Sequence, residues 1–225
     1  GVREMMDGGT WGTIAGQPTD DSEMALLLAR MLVEKGTYDQ EAAYTAYRYW
    51  LDTEPFDCGE TTLEGLQGTP NIESQANGAL MRISPLGIFG SNYELDQVTE
   101  WARQDALLTH PNIICQQVNA LYAMGIAHAV KTGCTPEQLY CEVVQWAESL
   151  PVESDLIEAI DRATDAPPID YLTHQGWVLI AFQNALYQLL HASNLEEAIV
   201  DTIMQGGDTD TNAAICGALL GAVYG

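Results

Sequence analysis

Apolar residues recur along the chain with helical rather than alternating spacing. The run 24–33 is apolar nearly all round and is followed by Gly36, which predicts a buried helix that begins near Ser22. Further helices are predicted at 39–51, 94–107, 112–131, 136–149, 153–164, 176–191, 194–204 and 210–224. No segment keeps a period of two and β-branched residues are sparse, so strands are not expected. The pattern therefore predicts an all-α fold.

Two stretches lack helical periodicity. Residues 1–18 are rich in glycine and predict an ordered loop, and the Pro, Gly, Asp and Thr residues of 52–77 predict a long irregular connection. Neither stretch has the composition of an interdomain linker. With 225 residues and 47% hydrophobic content, the sequence is long enough for one substantial core. We therefore expect a single domain over 1–225.

The charge balance narrows the range of partners. The chain has 32 acidic and 8 basic residues, for a formal net charge of −24. Such a surface opposes binding to nucleic acid or to an anionic membrane. We see no continuous apolar stretch of membrane-spanning length and no leader at the start of the sequence, so a soluble, cytoplasmic protein is expected. The five cysteines are odd in number and scattered, which is typical of reduced thiols.

Two acidic clusters carry the main functional signal. Thr19-Asp20-Asp21 and Asp208-Thr209-Asp210-Thr211 each stand at the start of a predicted helix. Negative groups are stabilised by a helix N-terminus, but several of them together repel one another unless a cation lies between them. Carboxylate and hydroxyl oxygens are hard ligands that favour Mg²⁺ or Mn²⁺ over zinc. The clusters together predict a paired divalent-metal site.

Helix capping is the competing explanation. Asp20 with Glu23 fits a capping box, and Asp208 or Asp210 has the side chain to cap the last helix. For either cluster alone, capping is the commoner explanation, because short cap signals recur by chance. A helix needs only one cap, however, and each cluster offers several candidates in a row. This redundancy favours the metal interpretation.

Four sequence blocks resemble the successive signatures of the ADP-ribosylglycohydrolase family, of the dinitrogenase-reductase-activating type. They are Gln17-Pro18-Thr19-Asp20-Asp21-Ser22-Glu23-Met24-Ala25, Asn77-Gly78-Ala79-Leu80-Met81-Arg82, Leu108-Thr109-His110-Pro111 and Gly207-Asp208-Thr209-Asp210-Thr211-Asn212. They occur in the family's order and span nearly the whole chain. The resemblance implies a compact orthogonal array of about ten or more helices. It also implies a two-Mg²⁺ centre, in which Mn²⁺ can substitute, and an enzyme that removes ADP-ribose from modified proteins.

The resemblance further implies roles for individual residues. The metal ligands it implies are Thr19, Asp20, Asp21, Asp208, Asp210 and Thr211. Asp21 and Asp208 are the candidate catalytic carboxylates, because a carboxylate can accept the proton of an attacking water. The candidate substrate-binding residues are Asn77, Gly78, Arg82 and His110. The implied partner is an ADP-ribosylated protein or a small ADP-ribose conjugate, with N-glycosyl arginine as the leading linkage, and a monomer is expected.

The resemblance leaves alternatives open. Family members usually open with a hydrophobic helix, a Gly-Asp-Ala-Leu-Gly-like turn and an acidic residue near the active site, and Gly1 lies beyond that segment. A non-catalytic ADP-ribose-binding module is therefore the first alternative to an enzyme. A structural protein of the same fold, as in lens crystallins, is the second. The intact acidic clusters argue against the structural alternative.

Overall fold

A computed structural model describes residues 4–225 of the chain. Its helices are α1 (Asp20–Lys35), α2 (Gln40–Asp52), α3 (Glu60–Leu66), α4 (Ser84–Gly90), α5 (Leu95–Leu107), α6 (Ile113–Thr132), α7 (Pro136–Ser149), α8 (Ser154–Arg162), α9 (Val178–His191), α10 (Leu195–Met204) and α11 (Thr209–Tyr224). Over this range the only β-pairing is two isolated bridges, Gly8 with Thr13 and Ala76 with Trp177. The all-α prediction is confirmed, and each predicted helix agrees with the structure to within about two residues.

The long helix α6 forms the centre of the fold. It packs against α4, α5, α7, α9 and α11, and its side chains are buried on nearly every face. Its ends are well defined, because the side chain of Asn112 accepts a hydrogen bond from the Ile114 amide and Gly133 closes the helix in the left-handed conformation. This central helix supports the loops that build the site.

One expectation about hydropathy was wrong. By length and composition α6 is apolar enough to cross a membrane, with 20 residues and a mean hydropathy of 1.2. In the structure 83% of that apolar window is buried inside the protein. A helix that is apolar all round is either a core helix or a membrane span, and the packing of α6 is that of a core helix.

Two short helices lie where the sequence did not predict them. Helix α3 falls within the predicted irregular connection, and α4 contains a proline and two glycines. Close packing explains the glycines, because a Cβ at Gly65 would lie 2.4 Å from the Cα of Thr109, and one at Gly87 would lie 2.7 Å from the Cβ of Ile126. Tertiary contact here overrides weak helix propensity.

Candidate functional site

The two acidic clusters meet at the N-termini of α1 and α11. Thr19 precedes α1 and Asp208 precedes α11. The Thr19 hydroxyl lies 2.8 Å from Oδ2 of Asp21 and 3.4 Å from Oδ2 of Asp210, although Thr19 and Asp210 are 191 positions apart. The fold therefore brings together the residues that the sequence singled out as metal ligands.

Capping does not account for these side chains. Neither Thr19 nor Asp208, the residues at the two N-cap positions, makes a side-chain capping hydrogen bond. Asp20 is the first residue of α1 rather than its cap, so the capping box predicted for Asp20 and Glu23 is wrong. The Glu23 carboxylate instead accepts a hydrogen bond of 2.7 Å from the indole Nε1 of Trp50. The acidic groups are thus not occupied in closing the helix.

The electrostatics of the cluster are unfavourable without a cation. Burial, with the nearby carboxylates of Asp57 and Asp210, raises the pKa of Asp20 to about 6. Burial and the neighbouring Asp20 raise the pKa of Asp21 to about 7. The pKa of Asp208 is also raised by burial, although Asn77 donates to it. Each shift disfavours the charged carboxylate, which is the state that a metal ion stabilises.

A cavity of about 280 Å³ opens beside the cluster. Its lining is strongly acidic, with five carboxylates and neither lysine nor arginine among the lining residues that the structure describes. The carboxylates are Asp20, Asp57, Glu60, Asp208 and Asp210. Asn77, Gly78, His110 and Thr211 also contribute to the wall, so most of the predicted site residues line one cavity.

The loop of Asn77 and Gly78 is held by the segment before α9. The Asn77 amide donates 2.9 Å to the carbonyl of Gly176, and the Val178 amide donates 2.9 Å to the carbonyl of Gln75. The Asn77 side chain then donates 2.8 Å to Oδ2 of Asp208. A Cβ at Gly78 would lie 2.8 Å from the hydroxyl of Thr62 and 2.9 Å from Cε1 of His110. Position 78 therefore requires glycine for close approach.

Arg82 lies behind the cavity and does not line it. Its side chain is fully buried, and its Nε donates 2.9 Å to Oδ2 of Asp105. One guanidinium nitrogen, Nη1, donates 2.9 Å to the hydroxyl of Thr109, which is 2.7 Å from Nδ1 of His110. The expectation that Arg82 contacts a substrate disagrees with this placement. Arg82 reaches the site only through Thr109 and His110.

Sequence reasoning missed two carboxylates of the lining, Asp57 and Glu60. Glu60 is the first residue of α3 and Asp57 lies three positions before it, both in the stretch predicted to be an irregular loop. Oδ2 of Asp57 accepts a hydrogen bond of 2.9 Å from the indole of Trp11, and burial raises the pKa of Asp57. These two acids flank Cys58-Gly59 in a long predicted loop, and long loops are often functional. That position could have identified them as candidate site residues.

The side chains as they stand do not form a ready metal site. Within residues 4–225 no group of three or more His, Cys, Asp or Glu residues is arranged to hold a metal ion. The chemistry of the cluster nevertheless fits one. Oδ1 of Asp21 is buried without a hydrogen-bond partner. The neighbouring side chains carry hard carboxylate or hydroxyl oxygens, namely those of Thr19, Asp20, Asp208 and Asp210. A divalent cation would supply the partner that this oxygen lacks.

A larger open groove lies elsewhere, between α1 and α2. Its volume is about 600 Å³, and its lining mixes acidic and basic groups with apolar ones. Lys35 and Asp39 pair across it at 3.7 Å. We assign the site to the smaller cavity, because only there do buried carboxylates with raised pKa values converge with unpartnered polar atoms.

Comparisons with known proteins identify the family of the chain. The sequence profile of the ADP-ribosylglycohydrolases matches residues 1–225. The chain is 27% identical over 235 residues to the ADP-ribosyl-[dinitrogen reductase] glycohydrolase of Rhodospirillum rubrum, covering 100% of this chain and 75% of that protein. It is 26% identical over 243 residues to the ADP-ribosylarginine hydrolase Tri1 of Pseudomonas putida, covering 100% of this chain and 63% of that protein.

A solved structure is also similar. An ADP-ribosylglycohydrolase-related protein complex superposes with a TM-score of 0.87 at 25% identity, covering 100% of this chain and 77% of that one. Fold and acidic site together define a helical enzyme of the glycosidase class. The chain belongs to the ADP-ribosylglycohydrolase family. The family and enzyme predictions are thereby confirmed.

Proposed function

We propose that this protein is a Mg²⁺-dependent hydrolase that removes ADP-ribose from modified proteins by cleaving the N-glycosidic bond of ADP-ribosyl-arginine. The observation that carries the proposal is the convergence of five carboxylates, some of them buried, on one cavity. Structural carboxylates that merely cap helices have no reason to converge in this way. The alternative of a purely structural protein does not account for it.

Six residues are proposed to hold two Mg²⁺ or Mn²⁺ ions. They are Thr19, Asp20, Asp21, Asp208, Asp210 and Thr211, which supply oxygen donors from the N-termini of α1 and α11. Bound metal would supply Lewis-acid stabilisation of oxygen and would offset the acidic field that otherwise repels a pyrophosphate. The unpartnered Oδ1 of Asp21 supports this assignment.

The acidic lining supports arginine as the linkage. A guanidinium group linked to ribose carries positive charge, and the cavity has five carboxylates at its wall. Asp57 and Glu60 line the same wall as the acidic cluster and are available to pair with that group. The similarity to an ADP-ribosylarginine hydrolase of Pseudomonas putida favours the same linkage.

Proton transfer is assigned to Asp57. In the proposed step a water oxygen bonds to the anomeric carbon, the bond from that carbon to the guanidine nitrogen breaks, and the electron pair leaves with nitrogen. The water proton passes to a carboxylate. Asp57 lines the cavity, whereas the Asp21 carboxyl is buried and is not among the lining residues. Asp208 also lines the cavity, but it accepts a hydrogen bond from Asn77 and is one of the proposed metal ligands. Asp57 is therefore better suited than Asp21 to accept the proton.

The test is release of ADP-ribose from an arginine-modified protein, followed by mass spectrometry with Mg²⁺ and with chelator. We expect release only with the metal. Asp57→Asn should lower the rate by about 10² to 10⁴-fold, because it removes the proposed proton acceptor. It should keep ADP-ribose binding, because free ADP-ribose has no guanidinium for Asp57 to pair with. Asp96→Asn is the matched control, since Asp96 is an exposed acid in the first turn of α5.

Two outcomes would decide against parts of this proposal. If release is equally fast with chelator, the metal requirement is wrong. If the protein binds ADP-ribose in Mg²⁺ yet releases none from arginine, serine or other modified substrates, a non-catalytic ADP-ribose-binding module is the better account.

A further inference from the structure

His110 lines the cavity, and the two nitrogens of its ring differ in their hydrogen bonding. Its ring is fully buried, it lines the cavity, and its Nε2 has no hydrogen-bond partner. A Cβ at Gly78 would lie 3.0 Å from this Nε2, so the Asn77-Gly78 loop passes directly over it. A buried nitrogen without a partner is costly, which is consistent with a position kept for a ligand atom.

The tautomer of His110 follows from a count of hydrogens at Thr109. The Thr109 hydroxyl accepts a hydrogen bond from Nη1 of Arg82 at 2.9 Å, and a guanidinium has no lone pair with which to accept one back. The Thr109 hydroxyl can therefore donate its own hydrogen to Nδ1 of His110, which lies 2.7 Å away. Among the described contacts, Nδ1 is the acceptor within reach of this hydrogen. If Nδ1 carried the proton instead, the buried hydroxyl hydrogen would have no acceptor. The ring therefore carries its proton on Nε2.

The groups behind Thr109 keep this arrangement in place. Asp105 holds Arg82 through Nε at 2.9 Å and through its own backbone carbonyl at 2.9 Å. On the other side, α3 approaches so closely that a Cβ at Gly65 would lie 2.9 Å from the Cβ of Thr109. Burial, with the charge of Arg82, lowers the pKa of His110 to about 3, so the ring is neutral near pH 7.

We propose that Thr109 is a positioning residue: its hydroxyl, oriented by Arg82, fixes His110 as the Nε2–H tautomer and so directs a neutral N–H donor at an acceptor oxygen of the ligand in the cavity. The inference rests on the proposed function for the identity of that ligand, whose ribose and phosphate oxygens are acceptors. A neutral donor suits this site because it selects for an acceptor without adding charge to the metal-binding side.

The decisive measurement is the ring-nitrogen NMR spectrum of ¹⁵N-histidine-labelled protein, with His110 assigned by its loss in His110→Gln. We expect the proton on Nε2 in the wild type and in Thr109→Ser, which keeps the hydroxyl. Thr109→Val keeps the shape but removes the donor to Nδ1, and the ring should then populate the other tautomer. A wild-type ring protonated on Nδ1 would overturn the proposal, even if Thr109→Val does not fold.

Calorimetry with ADP-ribose in Mg²⁺ supplies the second readout. Thr109→Val should weaken ADP-ribose binding by about 10-fold and Thr109→Ser should bind as the wild type does. The rise in melting temperature caused by Mg²⁺ alone should be equal in all three, because Thr109 is not a metal ligand. Unchanged tautomer and affinity in a folded Thr109→Val would contradict the proposal. If the ring carries its proton on Nε2 but the protein hydrolyses no ADP-ribosyl-arginine, the proposed function is contradicted and the positioning role of Thr109 is not.

Discussion

Two buried groups of carboxylates in this protein differ in one respect. Asp105 is fully buried and fully partnered, since Arg82 donates to one oxygen and Tyr47 donates 2.9 Å to the other. Asp20 and Asp21 are almost as deeply buried, yet the charged side chains that shift their pKa values are further carboxylates. The same residue type therefore stabilises the fold in one place and weakens it in the other.

The difference teaches where function lies in this fold. Burying a charge costs several kcal/mol unless it is paired, so an unpaired buried carboxyl either takes up a proton or gains a positively charged ligand. The arginine that neutralises Asp105 comes from the chain itself, after α3 and before α4. Asp20 and Asp21 have no such basic partner among the described residues, and the proposed divalent ions would supply the neutralising charge.

The largest expected effect is the loss of folding stability when the partnered carboxylate, Asp105, is removed. Asp105→Ala leaves the Arg82 guanidinium buried without a counter-charge, and Tyr47 and Tyr38 lose their acceptor. We expect the free energy of unfolding to fall by about 3–5 kcal/mol in urea titrations. Asp96→Ala, at an exposed position of the same helix, should change it by less than about 1 kcal/mol. A small loss in Asp105→Ala would mean that the two groups do not differ as argued.

Mg²⁺ should stabilise the unpartnered side. A ligand present at about 100 times its dissociation constant adds about 2.7 kcal/mol to the folded state. We therefore expect the melting temperature to fall with chelator and to recover with Mg²⁺ or Mn²⁺. Asp20→Asn and Asp210→Asn should abolish this response while circular dichroism shows intact helices, and Asp96→Asn should retain it. Calorimetry with no divalent-ion binding at millimolar concentration would refute the metal site.

The pH dependence of the free energy of unfolding tests the hydrogen-bond chain that joins Arg82, Thr109 and His110. Its pKa is lowered to about 3 in the folded protein by burial and by Arg82, against about 6.5 when unfolded. The unfolded state thus binds a proton between these values that the folded state does not, so the stability contributed by neutral His110 is complete above pH 6.5 and is lost as the pH falls towards 3.

The measurement compares the wild type with His110→Gln, because the carboxylates titrate alike in both and cancel in the difference. Between pH 7.5 and pH 5 the wild type should lose about 2 kcal/mol more than the variant. A difference that does not change with pH would mean that the ring is solvated, and that the hydrogen-bond chain through Thr109 does not hold.

The sequence predicted the long helices and the two acidic clusters, because both depend on local patterns. Periodicity marks a helix, and a run such as Asp208-Thr209-Asp210 marks a helix start with more acids than capping requires. The excess of acids in both clusters led to the prediction that they form one site, and the Thr19 hydroxyl does lie 3.4 Å from Oδ2 of Asp210.

What the sequence could not predict depends on long-range packing. Helix α3 forms because Gly65 lets it approach Thr109, and only then do Asp57 and Glu60 face the cavity. Arg82 has the same appearance in sequence whether it binds substrate or a buried acid. Its partner Asp105 is 23 positions away on another helix, and no local pattern connects the two.

The smallest expected effect tests whether the acidity of α1 matters in general or only at the site. Glu23 stands in the first turn of α1, two positions beyond Asp21, but its carboxylate accepts from Trp50 and does not line the cavity. Glu23→Gln keeps an acceptor for the indole and removes one charge, so the free energy of unfolding should change by about 0.5–1 kcal/mol. The Mg²⁺-induced rise in melting temperature and the rate of ADP-ribose release should equal those of the wild type. Glu23→Gln could instead lose the Mg²⁺-induced rise in melting temperature, as is expected of Asp20→Asn. In that case the total negative charge of α1 would explain metal binding, and the difference between partnered and unpartnered carboxylates would not.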